Sequence, residues 1–450
     1  GQAPLVLVDG IERDINYLDP NEVKSVTILK DASATALFGV KGANGVILVI
    51  TRRGEAGKPE ISLTQEFGIQ SFTKTPDDVD SYTWAMLKNE AWRNDNPGVD
   101  PNNPTNQPPY SADALQHFKS GDAPLAYPNH NWLKELTHKY VPMDRVNLNL
   151  SGGGGFARYF VNVGYLYQGG LWKTDPGLDY DSRAFLRRFS FRANIDADLD
   201  KKKTLKTFLN VAGYLDNQNK PGKDNYGNGE TYALLNTLLQ KWPSVQPGPT
   251  TPAGEVLIGD GNYSGSPWAM INRTGYIQNT GNNVTATWGL EKNLSNTIKG
   301  LSARFVGSFD TKTIYSLSAR RDYERWVAVI DPNTPSVNGG DSVMYQQTMT
   351  NFINTPLATT VSSTFQSHTQ LQFFVNYVRN FGKHDITGML MANQESWIKN
   401  GERLPFHLRG LASRLTYGYD DRYNFEFDAG YNGSEQFRKG NRYGVFPNDR

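Results

Sequence analysis

The feature that most limits what this chain can fold into is a two-residue alternation of apolar and polar side chains, recurring in runs of about ten residues from Glu60 onward. In the clearest run Phe185, Phe189, Phe191, Ala193, Ile195, Ala197 and Leu199 share one face. Arg188, Ser190, Arg192, Asn194, Asp196 and Asp198 share the other. Successive side chains of a strand point to opposite sides, so each run reads as a strand with one greasy and one wet face. Runs at 61–70, 145–151, 159–167, 185–199, 205–215, 284–290, 301–309, 371–381, 386–392, 411–419 and 423–431 give about eleven strands.

The connections between these runs alternate in length. Residues 152–156, 200–203, 293–300, 381–385 and 420–422 are short links, whereas 71–144, 169–182, 216–281, 315–364 and 398–409 are long and rich in Gly, Pro, Asn and Asp. Short turns at one end and long loops at the other mark an antiparallel transmembrane β-barrel, an order for which a β-sandwich gives no reason. On that reading Phe189, Phe191 and Ile195 face lipid, and Arg188, Arg192 and Asn194 face the lumen. No apolar run approaches the roughly 20 residues of a spanning helix. The 23 Tyr and 22 Phe suit the aromatic girdles of a barrel. A formal net charge of +1 without a basic block gives no support for a nucleic-acid partner. With Cys at 0, disulfides and thiolate chemistry are excluded from the chain.

Residues 1–58 read differently, as a small α/β domain. Strands are expected at 5–8, 23–29 and 46–51 in one sheet, the last of them a β-branched run of the kind buried on both faces. Asp31 is placed to cap a short helix over 32–37, and Gly39 to end it in the left-handed conformation. Asn44-Gly45 supplies a turn that tolerates positive φ. Within the long connections, 81–93 and 230–242 carry a helical period and are expected as short helices at the barrel mouth.

The stretch LKDASATALFGVKGANGVILVITRRG, with Lys30, Asp31, Gly39, Asn44 and Gly45 as its signature positions, resembles the plug of TonB-dependent outer-membrane receptors. Lys30-Asp31-Ala32-Ser33-Ala34, preceded by the Leu5 to Gly10 strand, is similar to the SusC-like branch of that family. The run from Asp420 through Tyr431-Asn432-Gly433-Ser434 to Asn441-Arg442-Tyr443-Gly444-Val445-Phe446-Pro447 resembles a stretch midway through SusC-like barrels. Here Asn432 and Glu435 replace that family's usual Asp and second Ser.

The resemblance implies a fold that is mainly β, a barrel of about twenty-two strands closed around a plug. Residues 1–58 then correspond to the later part of the plug and 59–450 to the first half of the barrel. About eleven strands is half a barrel, so the first and last, at 61–70 and 423–433, are expected to lie at open edges. The implied activity is active import of a bulky nutrient across the Gram-negative outer membrane, an oligosaccharide foremost. A peptide or siderophore importer, an adhesin and a signal transducer are the alternatives. The implied partners are a SusD-like surface lipoprotein, the TonB-ExbB-ExbD complex, outer-membrane lipid and the glycan or peptide ligand.

No catalytic constellation accompanies this pattern. His117, His130, His138, His368, His384 and His407 show no metal-ligand spacing, and the Gly152 to Gly155 run lacks the helix of a nucleotide site. No cofactor is expected. The candidate ligand contacts are loop aromatics that could stack on sugar or peptide faces, namely Trp172, Tyr180, Tyr226, Tyr263 and Trp268. Loop packing is the competing role for each of them.

Overall fold

The computed structural model describes residues 3–29, 44–100, 106–222, 248–259, 266–330, 343–348, 352–399, 402, 404–420 and 422–449. The expected helix at 32–37 and the one at 230–242 lie outside the described residues, as do Lys30, Asp31, Gly39, Tyr226 and Tyr263.

At the start of the chain β1 (Leu5–Val8), β2 (Ile11–Glu12), β3 (Val23–Leu29) and β4 (Val46–Thr51) form one sheet in the order β2-β1-β4-β3. β1 and β4 are parallel, while β2 and β3 run antiparallel to their neighbours. Leu5, Leu7 and Val46 bury each other against Leu29 and Leu48. The turn before β4 is as expected, with Gly45 at φ 92°. β4 departs from expectation in one respect: Val46 and Val49 are buried but Ile50 is 47% exposed, so that end of the strand is covered on one face only. Asp9, at φ 51°, ties the two parallel strands together, accepting from the Thr51 amide at 3.0 Å and its hydroxyl at 2.7 Å. A short polar side chain tolerates that backbone region better than a branched one does.

The alternating runs form a second, antiparallel sheet of twelve strands, here called the wall. Its strands are β5 (Gly57–Gln70), β6 (Val141–Gly153), β7 (Ala157–Gly169), β8 (Phe185–Asp198), β9 (Leu205–Pro221), β10 (Gly275–Asn293) and β11 (Leu301–Arg320). A separate hairpin of β12 (Arg325–Ile330) and β13 (Val343–Thr348) follows, and β14 (Ala358–Phe381), β15 (His384–Ile398), β16 (Phe406–Tyr419), β17 (Tyr423–Ser434) and β18 (Tyr443–Asp449) complete the wall. β18 is one strand more than the alternation predicts. Each wall strand pairs with its neighbour in the chain, β11 reaching past the hairpin to β14. β5 lies at one edge as expected, but the 423–433 strand, β17, pairs with β18 on its far side, so β18 is the other edge and the ring is open.

Pairing sets like against like on each face. Phe189 lies opposite Leu215 and Ile195 opposite Leu209, while Asn194 lies opposite Asn210. On β8 the outward Phe189, Phe191 and Ile195 are 57%, 42% and 39% exposed, and the inward Arg192 and Asn194 only 4% and 0%. This inverts the usual globular pattern, as a strand with lipid outside requires. β10, β11 and β14 have 19, 20 and 24 residues, about twice the 9–11 that a tilted strand needs to cross a bilayer. The excess lies toward the long connections.

Those connections carry α1 (Ser81–Asp95), α2 (Ala112–Ser120), α3 (Trp132–Leu136) and α4 (Pro267–Asn272). Each starts on a polar cap: the Asp80, Ser111, Asn131 and Ser266 side chains accept from backbone N–H groups three residues on. α1 and α2 bury Ala85, Ala114 and Phe118 between them.

Candidate functional site

Two places gather the chemistry of the chain. One is the layer of long connections, and the other is the seam where the small sheet meets the inner face of the wall.

In the loop layer Trp172 is 6% exposed and packs with Trp132, Leu136, Met270 and Ile271. Trp268 joins the same cluster, and the Arg273 guanidinium lies 4.5 Å from its ring centroid. The Tyr180 hydroxyl donates to the Asn272 carbonyl at 2.8 Å, and burial pushes that phenol up from its ordinary pKa. Arg273 also pairs with Asp175 at 3.2 Å. Three of the five aromatics singled out by sequence thus converge on α4, where they tie three connections into one body. Asn44 and Gly45, of the signature positions, form the turn into β4.

At the seam the period of the wall strands decides what is presented. Arg192, Asn194 and Asp196 are successive inward residues of β8, and each meets a group of the small sheet. Arg192 donates from Nε to the Glu22 carboxylate at 2.8 Å, with both side chains buried. Burial outweighs the attraction of Arg192 and holds the Glu22 carboxyl above its ordinary pKa. Asn194 donates to the Thr51 hydroxyl at 2.9 Å and to the Arg52 carbonyl at 2.6 Å. Asp196 accepts from Arg53 at 2.5 Å. Next to them, a side chain on Gly54 would stand 2.3 Å from the backbone N and O of Tyr159, so β7 meets the small sheet where only glycine fits.

The remaining ties reach further round the wall. Arg13 grips Asp310 of β11 with two bonds, of 2.8 and 2.7 Å, and donates a third to the Thr287 hydroxyl of β10 at 2.8 Å. Such forked geometry is stronger than a single contact and fixes orientation. Tyr17 stacks on Tyr214 at 4.7 Å and accepts from the Lys312 ammonium at 2.7 Å. Asp19 accepts from Asn147 at 3.4 Å and lies 4.0 Å from Arg145. Among the side chains that couple the two sheets are Arg13, Tyr17, Glu22 and Arg53 on one side and Arg192, Asp196, Asp310 and Lys312 on the other. The alternation places Arg188, Arg192 and Asn194 toward the lumen but does not name their partners, because nothing local in a sequence joins Arg192 to Glu22, 170 residues away.

The chain has relatives of known class. Residues 1–46 match the TonB-dependent Receptor Plug Domain. The chain is 25% identical, over 99% of its length, to a TonB-dependent receptor of Formosa agariphila, covering 42% of that protein. It is 23% identical, again over 99%, to the TonB-dependent receptor SusC of Bacteroides thetaiotaomicron, covering 43% of it. The chain therefore spans less than half the length of these relatives. Its fold superposes on the RagAB peptide importer in the open-open state with a TM-score of 0.69 at 18% identity, taking in 100% of this chain and 50% of that one. From the plug match at its start and the receptors aligned along its length, the chain is similar to TonB-dependent receptors, SusC among them, and it shares the fold of a half-wall with a sheet seated against it.

Proposed function

We propose that residues 1–58 are the later part of a plug and 59–450 the first half of a barrel in an active importer, which moves a bulky nutrient through the outer membrane when TonB-ExbB-ExbD displaces the plug. The observation that supports this is the make-up of the seam. Plug and wall are joined by ion pairs and hydrogen bonds such as Arg13–Asp310 and Glu22–Arg192 rather than by an apolar core. Polar ties can be exchanged one at a time for water, whereas an apolar core opens only as a whole. That suits a gate better than a permanent anchor, and it disfavours an adhesin.

The outward Phe189, Phe191 and Ile195 meet lipid, and a SusD-like lipoprotein covers the mouth formed by the long connections. The reading involves transport alone and no chemical step. An oligosaccharide is the preferred cargo, with Tyr180, Tyr226, Tyr263 and Trp268 as proposed aromatic contacts, while Trp172, buried against Trp132 and Met270, supports the loops that carry them. The likeness to a peptide importer supports a peptide as the second reading. The test is growth of a strain lacking the full-length receptor on a panel of glycans and peptides, with a TonB-deficient strain alongside. Loss of growth on one glycan class in both strains supports the proposal, and unchanged growth on every compound refutes it.

A further inference from the structure

The contacts described above join the plug to the run of strands from β6 to β11. Elsewhere around the same sheet the plug stands off from the wall. Leu48 and Ile50 of the plug, with Phe374, Met389 and Met391 of the wall, border a cavity of about 970 Å³ whose lining also includes the amides of Gln372 and Asn393. Thioether chains are adaptable packing surfaces, and amides beside them offer hydrogen bonds, so this lining suits a moving chain with both apolar and polar faces.

This cavity has a neighbour at each end. Toward the long connections it shares Glu12 with a space of about 670 Å³ that also borders Tyr17, Lys312 and Trp397. Toward the short connections it shares Arg53 and Arg304 with a space of about 530 Å³ bordered by Arg158 and Glu291. The three follow one another along the depth of the wall. At the inner junction the guanidiniums of Arg53 and Arg304 lie 5.5 and 5.2 Å from the ring centroid of Phe208. Arg53 is held by Asp196. The Arg304 Nε is buried and makes no hydrogen bond among the described residues.

We infer that the plug has a fixed side and an open side: cargo passes between β4 and the inner face of β14–β15, and the Arg53–Phe208–Arg304 junction admits neutral and anionic groups ahead of cationic ones. The inference rests on the import reading above and adds the route and the charge preference. Asp196 balances Arg53, so the guanidinium of Arg304 over the Phe208 ring, with Arg158 beside the same space, outweighs Glu291 and biases the junction toward a positive potential.

The chain has 0 cysteines, so introduced thiols report without background from it. The experiment places single cysteines in a full-length receptor without other cysteines: Met391→Cys in the middle cavity, Glu291→Cys in the inner one, and Asn210→Cys on the inward face of β9 beside the fixed side. Intact cells are treated with an anionic or a cationic membrane-impermeant methanethiosulfonate. In cells with active TonB, Met391→Cys should react about tenfold faster than in cells without it, a change at the low end of what access and field together produce. Asn210→Cys should stay inert. Glu291→Cys should prefer the anionic reagent, and Arg304→Gln should abolish that preference.

Reaction of Asn210→Cys as fast as Met391→Cys would overturn the fixed side. An inert Met391→Cys in both kinds of cell would overturn the route, and equal rates of the two reagents at Glu291→Cys would overturn the charge preference. Reaction of Met391→Cys that does not depend on TonB, with Asn210→Cys inert, supports the route and counts instead against energy-coupled import.

Discussion

Replacing Arg192 with methionine removes the partner that faces Glu22 at 2.8 Å and leaves a carboxylate that is 4% exposed with nothing to balance it. A buried charge stripped of its partner costs about 3–5 kcal/mol, whereas exchanging the whole pair for apolar groups is close to neutral. At neutral pH the plug of R192M should leave the wall at a lower urea concentration by that free energy, and the double variant E22L/R192L should recover most of the loss. A second arm comes from pH. Burial already holds Glu22 above its ordinary value of 4.5, and losing Arg192 raises it further, because that guanidinium was the main influence lowering it. A carboxyl with a higher pKa folded than unfolded takes up a proton on folding. Its stabilising contribution is complete below 4.5 and is lost as pH rises through the folded value. The R192M penalty should therefore shrink on acidification, by up to about 1.4 kcal/mol per pH unit. The assay is urea release of the plug from the full-length receptor, followed by a fluorophore on β1 while gel mobility shows the wall still folded. An unchanged release midpoint in R192M, a penalty that grows as pH falls, or a double variant no better than the single one would refute the reasoning.

Phe191 is an outward residue of β8 that is 42% exposed, so F191R puts a guanidinium into hydrocarbon at a cost of about 2–4 kcal/mol near the midplane; heat-modifiable gel mobility should show a smaller folded fraction. Gly54→Ala forces a methyl to within 2.3 Å of the Tyr159 backbone, so it should lower the urea midpoint for plug release, and wild-type behaviour would count against the close approach. W172A removes a packed side chain from the loop core at a cost of about 3–5 kcal/mol, and protease should then nick the connection after β7 at lower temperature. Loss of cargo binding with the loop still protected would make Trp172 a ligand contact instead. Asp200 accepts from the Thr204 hydroxyl and from the amides of Thr204 and Leu205 in the turn after β8, and the hydroxyl above all holds it at about 2. Its contribution is therefore present above 3.8 and lost as pH falls toward about 2; isotope-edited infrared titration of the carboxylate checks this, and a normal midpoint would refute it.

The wall was legible where each strand has one face in lipid, since only there does sequence alternate. β10 was read only from residue 284, though it starts at Gly275, because Asn279-Thr280-Gly281-Asn282-Asn283 is polar on both faces. The same holds for the Ser- and Thr-rich first half of β14. β18 was missed because Gly444 and Pro447 interrupt its period. Three strands of the small sheet were readable from turn chemistry at Asp9-Gly10 and Asn44-Gly45 together with its apolar runs, whereas β2, only two residues long, carries no period to read. The seam was not. An inward Arg on β8 announces a wet lumen, but whether it meets water, cargo or Glu22 is settled by tertiary placement that no local pattern encodes. The loop aromatics illustrate a related limit, for a Trp in a Gly- and Pro-rich connection looks the same whether it is offered to a sugar or folded under α4.

The spacing of the seam contacts along the chain has a consequence for biogenesis. Wall strands pair with sequence neighbours, so the sheet can be laid down hairpin by hairpin as the chain emerges. The plug strands emerge first, yet Glu22 waits 170 residues for Arg192, and Arg13 waits 297 for Asp310. Closing so long a loop costs little more entropy than closing one half its length, so the delay is set by when the partner strand appears rather than by the distance. The plug can thus complete its docking only once β11 is in place. Substitutions at Asp310 should therefore be felt in assembly, through curled walls whose plug never docks, before they are felt in transport.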